Sequence, residues 1–159
     1  NDPCNLRLDG KALIDGTAWD YAYVELGDPG IPHAVVPVKN LRDFDTAKLR
    51  ELGRRLRYYP EFPKGANVNF YEIIGPNHIY ERTYERGVED FTYACGTGTG
   101  SVVTVLTLLG KVSGHQVRVD MTGGQLMVDV EREGNQVTNL YLTGPTNIVC
   151  KGEITDEAL

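Results

Sequence analysis

Alternating polar and apolar positions along most of the chain predict a protein rich in β-strands. Residues 18–26 alternate between an aromatic face and an aliphatic face, which is the period of two that a strand produces. The aromatic face holds Trp19, Tyr21 and Tyr23, and the aliphatic face holds Ala22, Val24 and Leu26. Further strand-like runs cover residues 33–38, 67–74, 78–86, 117–121, 125–131, 137–142 and 147–154.

Two segments break this period and predict helices. Leucines recur at helical spacing in residues 44–57, where Asp45 can cap the N-terminus and arginines favour the C-terminal end. Residues 101–110 are apolar on almost all sides, as in a helix that is buried by its neighbours. Because no linker or repeat divides the chain, we predict one α+β domain in which an antiparallel sheet encloses the second helix.

Composition and charge exclude several kinds of partner. The 159 residues include 16 basic and 22 acidic side chains, a net charge of −6, which does not favour binding to nucleic acid or anionic lipid. The longest nearly apolar stretch, residues 101–112, is shorter than the roughly 20 residues that span a bilayer. We therefore expect a globular protein with neither a nucleic-acid partner nor a membrane partner.

The three cysteines, Cys4, Cys95 and Cys150, are widely spaced and odd in number. This pattern argues against a disulfide framework and against a Cys-x-x-Cys metal site, so we expect a reducing, cytoplasmic location and no metal. The chain begins at Asn1, without methionine and without the pattern of a signal peptide. We expect it to be a fragment of a longer protein.

One loop carries candidate chemistry: the run Ala-Cys-Gly-Thr-Gly-Thr-Gly-Ser at residues 94–101, directly before the second predicted helix. Free backbone N–H groups at such a helix start can cradle a carboxylate or phosphate, and can lower the pKa of a cysteine placed there. No lysine follows the glycines, so a nucleotide P-loop is disfavoured. On these residues alone, Cys95 is equally well explained as a catalytic thiol or as a small buried core residue.

Five motifs in order resemble the C-terminal half of diaminopimelate epimerase, over roughly residues 18–154. They are Gly30-Ile-Pro-His33, Phe62-Pro-x-x-Ala-Asn67, Tyr84-Glu-Arg-Gly87, Ala94-Cys-Gly-Thr-Gly98 and Leu142-Thr-Gly-Pro145. The resemblance implies two similar halves, each a β-rich, barrel-like unit around a central helix, with one catalytic cysteine per half. It also implies an isomerase that epimerises diaminopimelate from LL to meso for lysine and cell-wall precursor synthesis, with no pyridoxal phosphate or other cofactor.

The resemblance also assigns roles to individual residues. Cys95 is the acid/base of this half, and Gly96 and Thr97 bind the α-carboxylate of the amino-acid substrate. The other substrate-holding positions are Asn67, Glu85 and Arg86. The arginine is suited to gripping a distal carboxylate, and the glutamate to an ammonium group or a catalytic hydrogen bond. His33 orients groups near the reacting centre, and both His33 and Glu85 are counted with Cys95 as catalytic residues.

Two departures from the family keep other readings open. Ile31 stands where the family often has asparagine, and the loop from Gly87 to Cys95 is one residue longer than a common form, with Phe91 near an acidic position. A racemase or epimerase of another amino acid, such as proline or hydroxyproline, is the nearest alternative. A half-protein that binds an anion without catalysis is a second alternative.

The resemblance also implies an N-terminal half with a partner cysteine that is not among these 159 residues. Neither Cys4 nor Cys150 has a glycine-rich helix start around it, so neither is nominated as the second base. We therefore expect the isolated chain to be inactive. Its expected partners are the missing half and, as a further arrangement, a second copy in a homodimer.

Overall fold

The computed structural model describes residues 6–27 and 29–158 of the chain. In this part the strands are β1 (Arg7–Ile14), β2 (Thr17–Leu26), β3 (Ile31–Pro37), β4 (Asn67–Gly75), β5 (His78–Glu85), β6 (Asp90–Phe91), β7 (Val117–Met121), β8 (Gly124–Glu133) and β9 (Gln136–Thr143). The α-helices are α1 (Thr46–Arg57) and α2 (Gly96–Leu108), and a short 3-10 helix covers Asp156–Ala158. No helix in this described part is long and apolar enough to cross a membrane.

The strands form one mixed sheet in the order β1-β2-β3-β4-β5-β7-β8-β9, with β6 paired to β5. The prediction of an antiparallel sheet was wrong in two places, because β3 runs parallel to β4 and β5 runs parallel to β7. Parallel neighbours need a crossover connection. The chain uses α1 for the first crossover and α2 for the second, so each helix follows from the sheet topology.

The two faces of the sheet bury two separate cores. The alternation predicted for β2 is confirmed: Trp19, Tyr21 and Tyr23 join the core under α1, whereas Ala22, Val24 and Leu26 join the core around α2. Strands near both ends of the sheet contact α2, namely β2, β3, β4, β8 and β9. The prediction of an α+β fold with a β-rich sheet around a central helix is therefore confirmed.

Three segments differ from the sequence-based predictions. Strands β1 and β6 were not predicted; β1 contains Gly10, which lies against the ring of Tyr21. The strand predicted at residues 147–154 was wrong, because this segment pairs with no described strand and exposes Ile148, Val149 and Ile154 by more than 80%. Strand formation needs a neighbour to accept its backbone hydrogen bonds, and β-branched composition alone does not supply one.

Candidate active site

Cys95 lies at the N-cap of α2, in an extended backbone conformation (φ −137°, ψ 103°). The helix begins at Gly96 rather than near Ser101, so the prediction of a glycine-rich loop was wrong and the glycines form the first turn of the helix. The Cys95 carbonyl accepts the Thr99 N–H at 2.9 Å, but no side chain caps the helix. The first N–H groups of α2 therefore have no side-chain acceptor from the N-cap, and Gly96 and Thr97 are exposed.

Close packing explains two of the glycines in this turn. A Cβ atom on Gly98 would collide with Oδ1 of Asn69 and crowd the Cys95 sulfur, and one on Gly100 would collide with Leu140 of β9. A Cβ on Gly96 would meet Leu142 at an ordinary 3.6 Å. The glycines thus let the helix start approach β4 and β9 closely, while Gly96 stays accessible.

The Cys95 thiol is half-buried and has a raised pKa. Burial is the largest cause, since it penalises the thiolate; the Thr97 hydroxyl, 3.7 Å from Sγ, and the Gly98 N–H act in the opposite direction. The negative charges of Glu85 and Glu81 raise the pKa further. The expectation that the helix start lowers this pKa was wrong, because desolvation and two nearby carboxyl groups outweigh the N–H groups.

The remaining predicted residues lie where β3, β4 and β5 meet. His33 on β3 is in register with Asn67 on β4, and the side-chain oxygen of Asn67 accepts the Arg86 backbone N–H at 2.7 Å. Arg86 is exposed and donates one guanidinium hydrogen bond to the Lys64 carbonyl at 2.9 Å. Glu85, at the end of β5, is close enough to Cys95 for its charge to act on the thiol. The structure therefore brings the predicted residues to one region.

His33 lies inside β3, which begins two residues earlier than the predicted strand, and it is completely buried. The Asn69 amide donates to the Ala34 carbonyl at 3.1 Å, which fixes its NH₂ orientation, and it also donates to Nδ1 of His33 at 3.1 Å. The imidazole therefore carries its proton on Nε2. Burial lowers the pKa of His33 to about 4, so the ring is neutral near pH 7.

Sequence reasoning missed four polar residues beneath the helix start: Asn69, Glu81, Thr83 and Thr99. The Thr83 hydroxyl donates to Oδ1 of Asn69 at 3.0 Å, and the Thr99 hydroxyl forms a short hydrogen bond with Oε1 of Glu81. All four are buried. The alternation of β5 places Glu81 and Thr83 on the Glu85 face, but sequence does not reveal that this face is the buried one.

Part of the candidate site faces solvent, because Arg86, Gly96 and Thr97 are exposed. Five cavities of about 270–460 Å³ in the described structure are lined by other residues and include none of the predicted site positions. Within residues 6–27 and 29–158, no three His, Cys, Asp or Glu side chains group as metal ligands would. The site offers a helix start, a thiol and hydrogen-bonding side chains to a ligand that approaches from outside.

Comparison with known proteins identifies the family. Residues 27–149 match the family model described as diaminopimelate epimerase. A diaminopimelate epimerase of Chlorobaculum tepidum is 42% identical over 148 residues, which cover 92% of this chain and 54% of that protein. A diaminopimelate epimerase of Leptospira biflexa is 36% identical over 141 residues, covering 89% of this chain and 46% of that protein. The chain thus spans about half the length of these relatives.

Solved structures share the fold at low sequence identity. A probable proline racemase from Agrobacterium radiobacter aligns with a TM-score of 0.58 and 21% identity, over 82% of this chain and 44% of that one. A phenazine biosynthesis protein of the PhzF family from Enterococcus faecalis aligns with a TM-score of 0.52 and 18% identity, over 65% of this chain and 35% of that one. These likenesses concern the fold alone.

Proposed function

Because the chain belongs to the diaminopimelate epimerase family, we propose that it is the C-terminal half of an enzyme that epimerises diaminopimelate by proton transfer at Cys95. The observation that carries the proposal is the uncapped start of α2, where a thiol and exposed backbone N–H groups occupy the same turn. The reaction needs no cofactor in this scheme. The product is the meso isomer, used for lysine and cell-wall precursor synthesis.

The first turn of α2 binds the α-carboxylate of the substrate. The exposed N–H groups of Gly96 and Thr97 point out of the helix start, and the helix dipole favours an anion there. The Thr97 hydroxyl, already 3.7 Å from the Cys95 sulfur, adds a polar group beside the reacting carbon. Holding the carboxylate on these donors stabilises the negative charge that develops when the α-proton leaves.

Inversion requires a base on one face of the α-carbon and an acid on the other. The raised pKa keeps Cys95 protonated near neutral pH, which suits the acid role. The opposing base removes the α-proton, and the electron pair of that C–H bond then takes the Cys95 proton on the other face, which leaves a thiolate. In the reverse direction the Cys95 thiolate is the base and the opposing group is the acid.

The strand ends hold the rest of the substrate. The exposed Arg86 guanidinium grips the distal carboxylate, and Asn67 supports it by binding the Arg86 backbone N–H while facing the substrate. Glu85 receives an ammonium group near the thiol. His33 is neutral at pH 7 and carries a proton on Nε2, so its catalytic part is to orient groups by donating a hydrogen bond.

A second half completes the site. Three observations support this: the relatives are about twice as long, the site residues Arg86, Gly96 and Thr97 are exposed, and the segment after β9 exposes large apolar side chains. These side chains are Ile148, Val149 and Ile154. A surface that covers these side chains and the helix start would exclude water from the reacting carbon. In the described part of the chain the other cysteine is Cys150, which is exposed, and Cys4 lies outside the described residues.

Deuterium uptake tests the proposal. The 159-residue chain, alone and joined to an N-terminal half with its own glycine-flanked cysteine, is incubated with diaminopimelate in deuterated water, and α-deuterium is measured by mass spectrometry. We expect exchange only in the joined protein, lost on Cys95→Ala and kept in the matched control Cys150→Ala. If the isolated chain exchanges the α-proton and needs Cys95 to do so, a second half is not required. If the exchange rate per chain then rises with protein concentration, the second thiol belongs to the other copy of a homodimer.

Ile31 motivates a substrate test. This residue begins β3 two positions before His33, is 37% exposed, and offers no hydrogen bond to a substrate amino or carboxylate group. We expect the joined protein to act on diaminopimelate and not on proline or hydroxyproline. The opposite selectivity would assign the chain to a different amino acid, and binding of carboxylates without exchange in either case would indicate a non-catalytic half.

A further inference from the structure

Glu81 is a buried acid that the proposed mechanism does not use. It lies on β5, is 1% exposed, and faces α2 together with Thr83. Its Oε1 forms a short hydrogen bond with the Thr99 hydroxyl, whereas its Oε2 has no partner among the described residues. A buried carboxylate with an unpartnered oxygen is costly, and a neutral acid much less so.

Few charged groups face this acid. From α2 it faces the start of the helix, where its charge raises the pKa of the Cys95 thiol, and on β5 itself Glu85 lies four residues further along on the same face. From β4 the neutral Tyr71 pairs with it in register, and from β3 the nearest titratable group is His33, which is neutral. No cationic side chain in the described structure forms an ion pair or hydrogen bond with Glu81. Burial accordingly raises its pKa to about 8, and the Thr99 hydrogen bond offsets only part of this.

The hydroxyl of Thr99 links Glu81 to the N-cap through hydrogen bonds. The Thr99 hydroxyl has one proton and two acceptors within reach, Oε1 of Glu81 and the Cys95 carbonyl at 3.1 Å. When Glu81 is protonated, its O–H donates to Thr99 and the Thr99 O–H donates to Cys95, so every contact is satisfied. When Glu81 is ionised, the Thr99 proton turns to the carboxylate and the Cys95 carbonyl loses this donor.

We propose that Glu81 is a positioning residue for Cys95: its protonated form holds the N-cap through Thr99, and its ionisation in alkaline solution hinders deprotonation of the thiol. This deepens the proposed function, since Cys95 is the reacting group there. One structural fact carries it: a continuous chain of three groups, the Glu81 carboxyl, the Thr99 hydroxyl and the Cys95 carbonyl, runs from β5 to the N-cap. In addition, the negative charge of Glu81 raises the pKa of the Cys95 thiol. The inference needs no substrate and no second half.

The first measurement is the protonation state of Glu81. Infrared difference spectra of the 159-residue chain between pH 6 and pH 10 should contain the carbonyl band of one buried carboxylic acid that disappears near pH 8. The band should be absent in Glu81→Gln and present in Glu72→Gln. Glu72 is a matched control because it is a strand acid on neighbouring β4 that binds the backbone N–H groups of Asn40 and Leu41.

The second measurement is the alkylation rate of Cys95 as a function of pH. The tryptic peptide 87–111 contains Cys95 as its single cysteine, so mass spectrometry separates it from Cys4 and Cys150. In Glu81→Gln, whose amide mimics the neutral acid, we expect the midpoint of thiolate formation to fall by roughly one pH unit, a tenfold rise in thiolate below the midpoint. Glu72→Gln should leave the midpoint unchanged.

Thr99→Val provides a second route if Glu81→Gln does not fold. It removes the hydroxyl that stabilises the ionised acid, so Glu81 should stay protonated to higher pH and the Cys95 midpoint should again fall. The inference is overturned if the midpoint of Cys95 thiolate formation is unchanged in the folded variants. It is also overturned if the infrared band of the buried acid persists in Glu81→Gln. Because neither readout uses catalysis, an inactive joined protein would count against the proposed function and not against this role of Glu81.

Discussion

The two helices pack on opposite faces of one sheet and begin in opposite ways. Asp45 caps α1 by accepting the Lys48 N–H at 2.8 Å, and arginines occupy its last turn. Cys95 stands at the same position of α2 without capping it, and α2 has neither acidic residues in its first turn nor basic residues in its last. The first helix therefore satisfies its own ends, whereas the second is held by packing and keeps its start available to a ligand.

The cores differ in the same sense. Under α1 the buried side chains are mainly aliphatic and aromatic, with Phe62 packed between Tyr21 and Tyr23. Around the start of α2 the buried set includes a histidine, an asparagine and an acid. Buried polar groups cost stability unless they are paired. We interpret the α1 face as the side of the sheet that contributes most to stability. At the start of α2, the buried polar groups of the candidate site lower stability.

The largest expected effect comes from Cys95→Ser in the joined enzyme. Because serine is a far weaker proton donor and base than a thiol, kcat should fall on the order of a thousandfold. The serine hydroxyl can cap α2, so the free energy of unfolding should rise by about 0.5–1 kcal/mol. Deuterium exchange and urea unfolding measure the two quantities. A lower unfolding free energy of Cys95→Ser would contradict the interpretation that the start of α2 lacks a stabilising cap.

The next effect is the pH dependence of stability caused by Glu81. Its pKa is raised from 4.5 to about 8 in the folded protein, so its contribution is fully present below pH 4.5 and is lost as pH rises through 8. Relative to Glu81→Gln, the chain should lose a few kcal/mol of unfolding free energy between pH 5 and pH 8.5. Urea unfolding at several pH values measures this. If the unfolding free energies of the chain and of Glu81→Gln depend on pH in the same way, the prediction is contradicted.

Gly98→Ala should destabilise the chain by about 2 kcal/mol, because the added methyl collides with Asn69 beside the Cys95 sulfur. Gly96→Ala is the matched control in the same turn, since its methyl meets Leu142 at an ordinary 3.6 Å. Its unfolding free energy should change by less than about 0.5 kcal/mol. Equal effects of the two substitutions would show that close approach to β4 is not what requires the glycine.

The smallest effect is expected at the other helix. Asp45→Ala removes the acceptor for the Lys48 N–H and should cost about 1 kcal/mol of unfolding free energy. It should leave the deuterium exchange rate of the joined enzyme unchanged, because α1 lies on the opposite face of the sheet from Cys95. A matched loss of activity would mean that the two faces are coupled, and the comparison would fail.

The fold was largely predictable because its signals are local. The two-residue period located β2, β4 and β5, and the Asp45 cap and leucine spacing located α1. The start of α2 was not predictable in this way, since glycine favours loops and only close packing against β4 and β9 makes a helix there. The segment 147–154 failed for the converse reason, because its composition favours a strand but no described strand pairs with it.

The site was predicted only in its outer layer. Family motifs pointed to Cys95, Asn67 and Arg86, and the structure brings these residues to one region, although their roles stay proposals. The polar residues beneath them were not predictable, since nothing in the sequence distinguishes the buried glutamate at position 81 from the half-buried one at position 85. Burial, and with it the raised pKa of Glu81, comes from tertiary packing alone.

The two parallel strand pairs have a consequence for the order of folding. Each hairpin can form early because its strands are neighbours in sequence, but β3 meets β4 and β5 meets β7 only after a helical crossover closes. The contact between His33 and Asn69 spans 36 positions, and that between Glu81 and Thr99 spans 18. We therefore expect the candidate site to assemble late, after the hairpins, and its contacts to have low φ-values.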